Sequence, residues 1–289
     1  MARRSVLFTP GDREDMLRKA PRAGADVIVF DLEDAVAPQR LEEARTTVRE
    51  VLTDSAFDEA ADCEVCVRVN AAPDAMAADV ARLFADGEPR LDAVMAPKVE
   101  SGETVDRLVD ELEAHGGYRP IFALLETASG ILGAPEVARK RATDALVFGA
   151  EDLAADLGAT RTPGGEEVSY ARQRVALAAA AHDCTAIDTL VTDVEDEAAL
   201  RADTARSVQF GFDGKLAIHP AQVGPINEAF SPDEEDLEWA KRVLEASRDA
   251  DADDRGVFVV DGEMVDAPLI AQAERLLERA DAANRGDRG

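Results

Sequence analysis

FALLETASG (residues 122–130) and VFGAEDL (147–153) are apolar, β-like runs that end on acidic residues. Glu126 closes the first, and Glu151 with Asp152 closes the second after Gly149. In a parallel barrel the carboxyl ends of the strands carry the chemistry, so two neighbouring strands ending in carboxylates set paired oxygens on one rim. Paired oxygens suit a hard divalent cation, because Mg²⁺ takes one or two carboxylates and keeps its other octahedral positions for water and substrate. A single acid after a strand is more simply a helix cap. The pair reads as a metal site.

Outward from these stretches the same alternation fills most of the chain. Apolar runs fall at SVLFT (5–9), VIVFD (27–31), VCVRV (65–69), AVMAP (93–97), IFALLE (121–126), ALVFG (145–149), TAIDTL (185–190) and KLAIH (215–219), which makes eight. Between them lie segments with 3.6-residue apolar spacing, among them DREDMLRKAPRAG, PQRLEEARTTVREVL, ETVDRLVDELEAHG and YARQRVALAAAAHD. Eight strand–helix units over residues 1–230 predict an α/β fold with a (β/α)₈ TIM barrel as the catalytic domain. A doubly wound sheet is the runner-up, but the GxGxxG turn after its first strand is missing.

After residue 230 the pattern changes. SPDEEDLEWAKRVLEASRDADADDRG predicts a capped acidic helix, GVFVVDGEMVDAP two short strands about an Asp-Gly turn, and PLIAQAERLLERADAA a final helix. This extension, 231–289, is too short for a core of its own and too apolar to stay free. It is expected to pack on its own barrel or on a neighbouring subunit.

Composition sets further bounds. With 289 residues and 46% hydrophobic content the chain has material for a core without outside help. The formal charge is −28, from 60 Asp and Glu against 32 Lys and Arg, and such a charge disfavours nucleic acid. The acids are spread along surface-like positions (DEEDLEW, DVEDEAAL, DADDRG), which reads as adaptation to a high-salt cytoplasm and not as one block for a basic partner. Cys63, Cys66 and Cys184 are odd in number, and no secretory leader precedes them, so a reducing cytoplasm is expected. Cys63 and Cys66 have CxxC spacing but neither a second pair nor a nearby His, so they read as packed thiols. No 18-residue apolar run marks a membrane segment.

The other strand ends add candidates. Residues 1–22 hold six basic residues (Arg3, Arg4, Arg13, Arg18, Lys19, Arg22) against three acidic ones, a local +3 that suits a phosphorylated ligand as well as it suits a solvated helix face. DLEDAV puts Asp31, Glu33 and Asp34 at the same rim, where they are expected to hold metal-bound waters. Arg68, inside a strand, needs a partner, either a substrate carboxylate held bidentately or one of those acids. Lys98 ends the fourth strand and His219 the eighth, and neither says much alone.

RSVLFTPGDR, VIVFDLEDAV, VRVN, MAPKVE, LLETASG, VFGAEDLAADLGA, YARQ, AID, GFDGKLAIHPAQ and GEMVDAPLIAQA, in this order, resemble the citrate lyase beta-subunit-like family of malyl-CoA, β-methylmalyl-CoA and citramalyl-CoA lyases. The resemblance covers nearly the whole chain. It implies a (β/α)₈ lyase that uses Mg²⁺, with Mn²⁺ as a substitute, to break a C–C bond in a 3-hydroxyacyl-CoA, giving a 2-oxoacid and a shorter acyl-CoA. It also implies a homo-oligomer, a trimer or a dimer of trimers. By motif, the metal ligands fall on Glu126 and Asp152, and the substrate carboxylate on Arg68. Arg4, Arg13 and Lys19 fall in the region associated with CoA phosphates, and Lys98 and His219 are carried along as rim residues facing substrate.

Malyl-CoA or β-methylmalyl-CoA cleavage to glyoxylate is the preferred reading. Citramalyl-CoA or citryl-CoA cleavage, a malyl-CoA thioesterase and a non-catalytic subunit are the rivals. A pyruvate-type aldolase would be expected to use a histidine near the early strands, and the three here are His115, His182 and His219. In the extension, Asp266 stands between Val265 and Ala267 in a segment built to pack, so it is expected to be desolvated and suited to proton exchange. It could equally cap the helix that starts at Pro268. The resemblance implies the acid–base role, with Asp266 on a lid that completes the site of the adjacent subunit.

Overall fold

The structure, a computed structural model, describes residues 2–85, 87–252 and 257–286. Eight parallel strands close into a barrel in chain order: β1 Ser5–Pro10, β2 Val27–Asp31, β3 Glu64–Arg68, β4 Ala93–Ala96, β5 Ile121–Leu125, β6 Thr143–Phe148, β7 Thr185–Asp188 and β8 Gly214–Ala217. The helices of this part are α1 Glu14–Lys19, α2 Leu41–Leu52, α3 Ser55–Ala60, α4 Pro73–Leu83, α5 Gly102–Ala114, α6 Ala128–Ala138, α7 Ala150–Asp156, α8 Ser169–Ala180, α9 Glu197–Gln209 and α10 Pro220–Phe230. Parallel strands are covered on both faces, which is why they read as continuous apolar runs. Residues two apart on one strand (Val27 and Val29, Ala93 and Met95, Phe122 and Leu124, Ala145 and Val147) form a single buried cluster, with Phe8 and Leu190 packed against it.

The seam is closed by β1 on β8, with Ser5 opposite Lys215 and Leu7 opposite Ala217. A Cβ on Gly214 would stand 1.8 Å from the Arg3 carbonyl oxygen, so the seam requires glycine there. The amino ends of the strands carry a belt of ion pairs. Arg3 donates to Glu64 at 2.6 and 2.8 Å and to Thr185 at 3.0 Å, and Arg4 donates to Asp26 at 2.9 Å through both Nε and Nη2. Between β7, β8, α8 and α9, Lys215 is wholly buried, and its Nζ donates to Thr189 O at 2.6 Å and to Asp203 at 2.5 Å. Arg172 spans Asp188 and Asp203 beside it.

Two local departures have simple causes. The first helix, expected through Gly24, stops at Lys19 and becomes a 3₁₀ turn over Ala20–Ala23, because Pro21 has no N–H to give and Gly24 ends the turn at φ 71°. α6 continues through Pro135, which cannot bond the Ile131 carbonyl; the Arg174 Nε donates to that oxygen at 2.7 Å instead. The three cysteines are free and buried, as expected of packed thiols, and burial pushes Cys63 up to about 12.

Contacts divide the chain into the barrel unit, Arg3–Asn227, and a second unit of Glu228–Gly289 with Met1–Ala2. In the second unit α11 (Glu234–Ala252) packs on α12 (Ala267–Gly286), and β9 (Phe258–Val260) pairs antiparallel with β10 (Glu263–Val265). The Asp-Gly turn between the two strands has φ 51° at Asp261 and 86° at Gly262, as a two-residue hairpin loop requires. The expectation that this extension lacks a core is corrected here: Ala240, Val243, Phe258, Val260, Val265 and Ala273 form a buried cluster within it. Among the described residues no helix is long and apolar enough to cross a membrane.

Candidate active site

A cavity of about 340 Å³ opens at the carboxyl ends of the barrel strands. Its walls are apolar (Phe8, Leu124, Leu190, Leu216, Ile218), and its polar groups are Asp31, Asp34, Arg68, Glu126, Glu151, Asp152 and Thr189. Glu126 follows β5 directly, is buried, and accepts one hydrogen bond, from the Lys98 backbone N–H at 2.9 Å. Lys98 makes this bond with a left-handed backbone, φ 48°, a conformation that costs a non-glycine residue energy and clusters at functional sites. Gly149 supplies the space beside Glu126, because a Cβ there would stand 2.6 Å from the Glu126 Cβ and 2.8 Å from Oε2.

Asp152 lies in the first turn of α7, where the helix dipole favours an anion. Its side chain is half-exposed and has the Lys98 Nζ at 3.8 Å. Glu151, the other acid that closes this stretch, is turned to Arg161 at 2.8 Å. Burial, and after it the repulsion of Asp152 and Glu33, pushes Glu126 up to about 7 against the opposing Lys98 N–H bond. Two carboxylates, one of them desolvated, thus line one cavity, with the partly exposed Lys98 ammonium and the acid-paired Arg68 guanidinium as the cations beside them. This donor set fits a divalent cation that takes two protein carboxylates and completes its shell with water and substrate. Among the described residues no group of three or more His, Cys, Asp and Glu could hold a metal ion, so two protein ligands are what the site offers.

Arg68 has the partner it needed. Its Nε and Nη2 grip Asp31 at 2.7 and 2.6 Å, its Nη1 stands 3.2 Å from Glu33, and its guanidinium lies 4.9 Å from the centre of the Phe8 ring. The expectation that Asp31, Glu33 and Asp34 hold metal-bound waters is corrected for Asp31, whereas Glu33 keeps a buried Oε2 that accepts no hydrogen bond. Asp31 spends its oxygens on Arg68 and on the backbone N–H groups of Glu33 and Ala35, and Glu33 pairs with Arg68 and with the Lys98 Nζ at 2.5 Å. Asp34 lines the cavity with a half-exposed carboxylate. Lys98 therefore joins two acids of the DLED loop to Asp152, and burial raises Glu33 even so.

The basic island divides. Arg13 and Lys19 are exposed on the stretch after β1, as a phosphate contact requires. Arg4 is removed from that group, because it is buried at the amino end of β1, opposite the rim, and committed to Asp26. His219 is exposed at the rim but does not line the cavity; its Nδ1 accepts from the Ala221 N–H at 3.2 Å, at the start of α10. Asp266 is exposed, so the desolvation expected from its apolar neighbours is absent within one chain. Its carbonyl accepts from the N–H groups of Leu269 and Ile270, both at 3.1 Å, in the first turn of α12. Sequence reasoning missed Phe8 under Arg68. It also missed Asn70 and Asp79, which fix the chain after β3: Asn70 Nδ2 donates to Leu32 O and to Asp79, each at 2.9 Å. The only sign of either was the Asn in VRVN.

Residues 4–220 match the model of the family described as HpcH/HpaI aldolase/citrate lyase. A citrate lyase subunit beta-like protein of Deinococcus radiodurans is 41% identical over 95% of this chain and 96% of its own. The mitochondrial citramalyl-CoA lyase of Rattus norvegicus is 32% identical (96% and 86%), and a (3S)-malyl-CoA thioesterase of Cereibacter sphaeroides is 36% identical (96% and 95%). Among solved structures, protein CitE of Mycobacterium tuberculosis, in complex with magnesium, acetoacetate and coenzyme A, superposes with a TM-score of 0.81 at 35% identity, covering 97% of this chain and 98% of that one.

Proposed function

The chain belongs to the HpcH/HpaI aldolase/citrate lyase family, and from that premise we propose that it cleaves malyl-CoA or β-methylmalyl-CoA to glyoxylate plus acetyl-CoA or propionyl-CoA, reversibly. At the coarser level it is a Mg²⁺-dependent enzyme of the oxo-acid lyase type that acts on a CoA thioester. The observation that carries the reading is the desolvated Glu126 facing Asp152 across a cavity at the barrel rim. Glu126 and Asp152 would hold the metal. Bound Mg²⁺ would supply Lewis-acid polarisation of the reacting oxygen and so stabilise its negative charge.

The rest of the work falls to the chain. In cleavage the hydroxyl loses its proton, the C2–C3 bond breaks into the new carbonyl and a thioester enolate, and the enolate carbon takes up a proton. Arg68, oriented by Asp31 and Phe8, would anchor the carboxylate of the oxoacid half, with Asp34 giving way at its Nη1 edge, 3.7 Å from it. Apolar walls keep water from the enolate. Asp266 would return the proton from a neighbouring subunit of a trimer or dimer of trimers, its exposure within one chain leaving it available to that neighbour. Arg13 and Lys19 would meet the CoA phosphates.

Malyl-type substrates are preferred over citryl-CoA because a lyase working on free CoA thioesters needs no carrier subunit. The relatives leave citramalyl-CoA cleavage and malyl-CoA hydrolysis as the rivals. The test is incubation of the protein with malyl-, β-methylmalyl-, citramalyl- and citryl-CoA in Mg²⁺ and molar KCl, with products identified by mass spectrometry beside a free-thiol assay. Glyoxylate is expected without stoichiometric free CoA. Turnover of citramalyl- or citryl-CoA alone would overturn the substrate assignment, and malate with free CoA would establish the thioesterase.

A further inference from the structure

About one residue in five of this chain is Asp or Glu (60 of 289), and nearly every helix carries its share. α8 departs from that pattern. Its sequence, SYARQRVALAAA, contains no acid, and every other α-helix among the described residues contains at least one. One side of α8 packs inward through Ala171, Val175, Ala178 and Ala179. The other side places Tyr170, Gln173, Leu177 and Ala180 on one exposed stripe, at i, i+3, i+7 and i+10. Tyr170 is 68% and Leu177 72% exposed, and Leu132, on the adjoining α6, is 64% exposed.

The two helices are tied into one wall. Arg174 reaches from α8 to the carbonyl oxygens of Ile131 and Leu132, both at 2.7 Å, filling the hydrogen-bond gap left by Pro135. The single acid of α6, Glu136, accepts from the Gly102 N–H at 3.1 Å, on the α5 side. At the end of α6, Arg139 and Arg141 are exposed and make no ion pair among the described residues. Large apolar side chains left exposed on a helix whose other side is already buried mark a contact surface.

We propose that the α6–α8 wall is the surface on which a second copy of this chain docks. Two copies that each carry −28 repel one another across any acid-coated face. α8 brings no acid to this wall and α6 only Glu136, the stripe of Tyr170 and Leu177 offers apolar area to bury, and Arg139 with Arg141 offers cations to the acids of the arriving copy. The proposal rests on the association already invoked for Asp266 and adds the face that forms it: wall variants that assemble like wild type would overturn it and leave the lyase reading standing, whereas a monomeric wild type would also remove the role given to a neighbour's Asp266.

Sedimentation velocity in molar KCl tests it on the full chain, with Leu177→Glu, Tyr170→Glu and, as a control off the wall, Val194→Glu. Wild type and the control are expected at a multiple of the 30.9 kDa chain mass, and the wall variants at 30.9 kDa or with at least a tenfold weaker association constant. A companion measurement covers the case in which a wall variant does not fold, as judged by circular dichroism. In a Leu177→Cys protein, whose native thiols are all buried, maleimide labelling should slow at least fivefold as the concentration is raised into the associated range. Wall variants that assemble like wild type, a wild type that is monomeric throughout or joined only to a different polypeptide, or labelling independent of concentration would each overturn the proposal.

Discussion

Replacing Glu126 by Gln gives a prediction with a sign that runs against intuition, since removal of a proposed metal ligand should stabilise the metal-free protein. Burial holds Glu126 at about 7, against an ordinary value of 4.5. A folded-state value raised above the unfolded one means that between pH 4.5 and 7 the folded chain keeps a proton the unfolded chain has lost, so stability falls as pH rises through this window. Above the window the charged Glu126 costs about 3 kcal/mol, from 1.36 kcal/mol per unit. Glutamine keeps the acceptor for the Lys98 N–H and carries no charge.

In EDTA and molar KCl at pH 8, Glu126→Gln should therefore melt higher than wild type by roughly 6 °C, taking ~2 °C per kcal/mol for a chain of this length. The difference should vanish near pH 4.5. Saturating Mg²⁺ should reverse the order at pH 8, because it raises the melting temperature of wild type and leaves the variant unmoved. Differential scanning calorimetry at pH 4.5, 6 and 8, with and without Mg²⁺, reads all of this directly. A variant that melts below wild type in EDTA at pH 8, or gains as much as wild type from Mg²⁺, would refute the assignment of Glu126 as a desolvated metal ligand.

Other outcomes follow from the same structure. Gly149→Ala should cut Mg²⁺ affinity at least tenfold by isothermal titration while leaving the circular dichroism spectrum intact, since the new methyl would displace the Glu126 carboxylate, 2.8 Å away. Thermal stability should rise between 0.1 and 2 M KCl, because the Debye length falls from ~10 Å at 0.1 M to below 3 Å; a flat melting curve would remove the halophile reading. Asp266→Asn should abolish turnover and leave Mg²⁺ binding unchanged, and mixing it with Asp152→Ala under subunit exchange should restore part of the activity. Near-normal turnover by Asp266→Asn alone would leave that residue as the one that precedes α12 and accepts from its first turn.

All eight barrel strands could be read from the sequence because a strand covered on both faces is a predominantly apolar run, with charges such as Arg68, Asp188 and Lys215 confined to positions near the strand ends. α6 and α10 could not, since Pro135 and Pro225 break the helical pattern and their continuation depends on tertiary partners such as Arg174. That Glu126 and Asp152 line one cavity was legible from strand ends alone. What held Arg68 was not, because Asp31 lies 37 positions away and nothing local chooses between it and a ligand. Arg4 was grouped with Arg13 and Lys19 by motif region, in agreement with a charge count, and neither says which end of a strand a side chain occupies. Asp266 was expected to be buried from its apolar neighbours, but only Val265 is buried, and Ala267 and Pro268 are exposed with it.

The seam between β1 and β8 bears on the order in which the molecule can come into being. Translation delivers β1 first, yet its second neighbour, Gly214–Ala217, is synthesised more than two hundred residues later. For all that time the nascent chain presents one open sheet edge at β1 and another at whichever strand emerged last, and open edges recruit foreign strands. The edges disappear together when Ser5 meets Lys215, while most of the second unit has still to be decoded. The hazard in making this protein is thus confined to the interval before residue 217, and a chain terminated after Asn227 has already passed it.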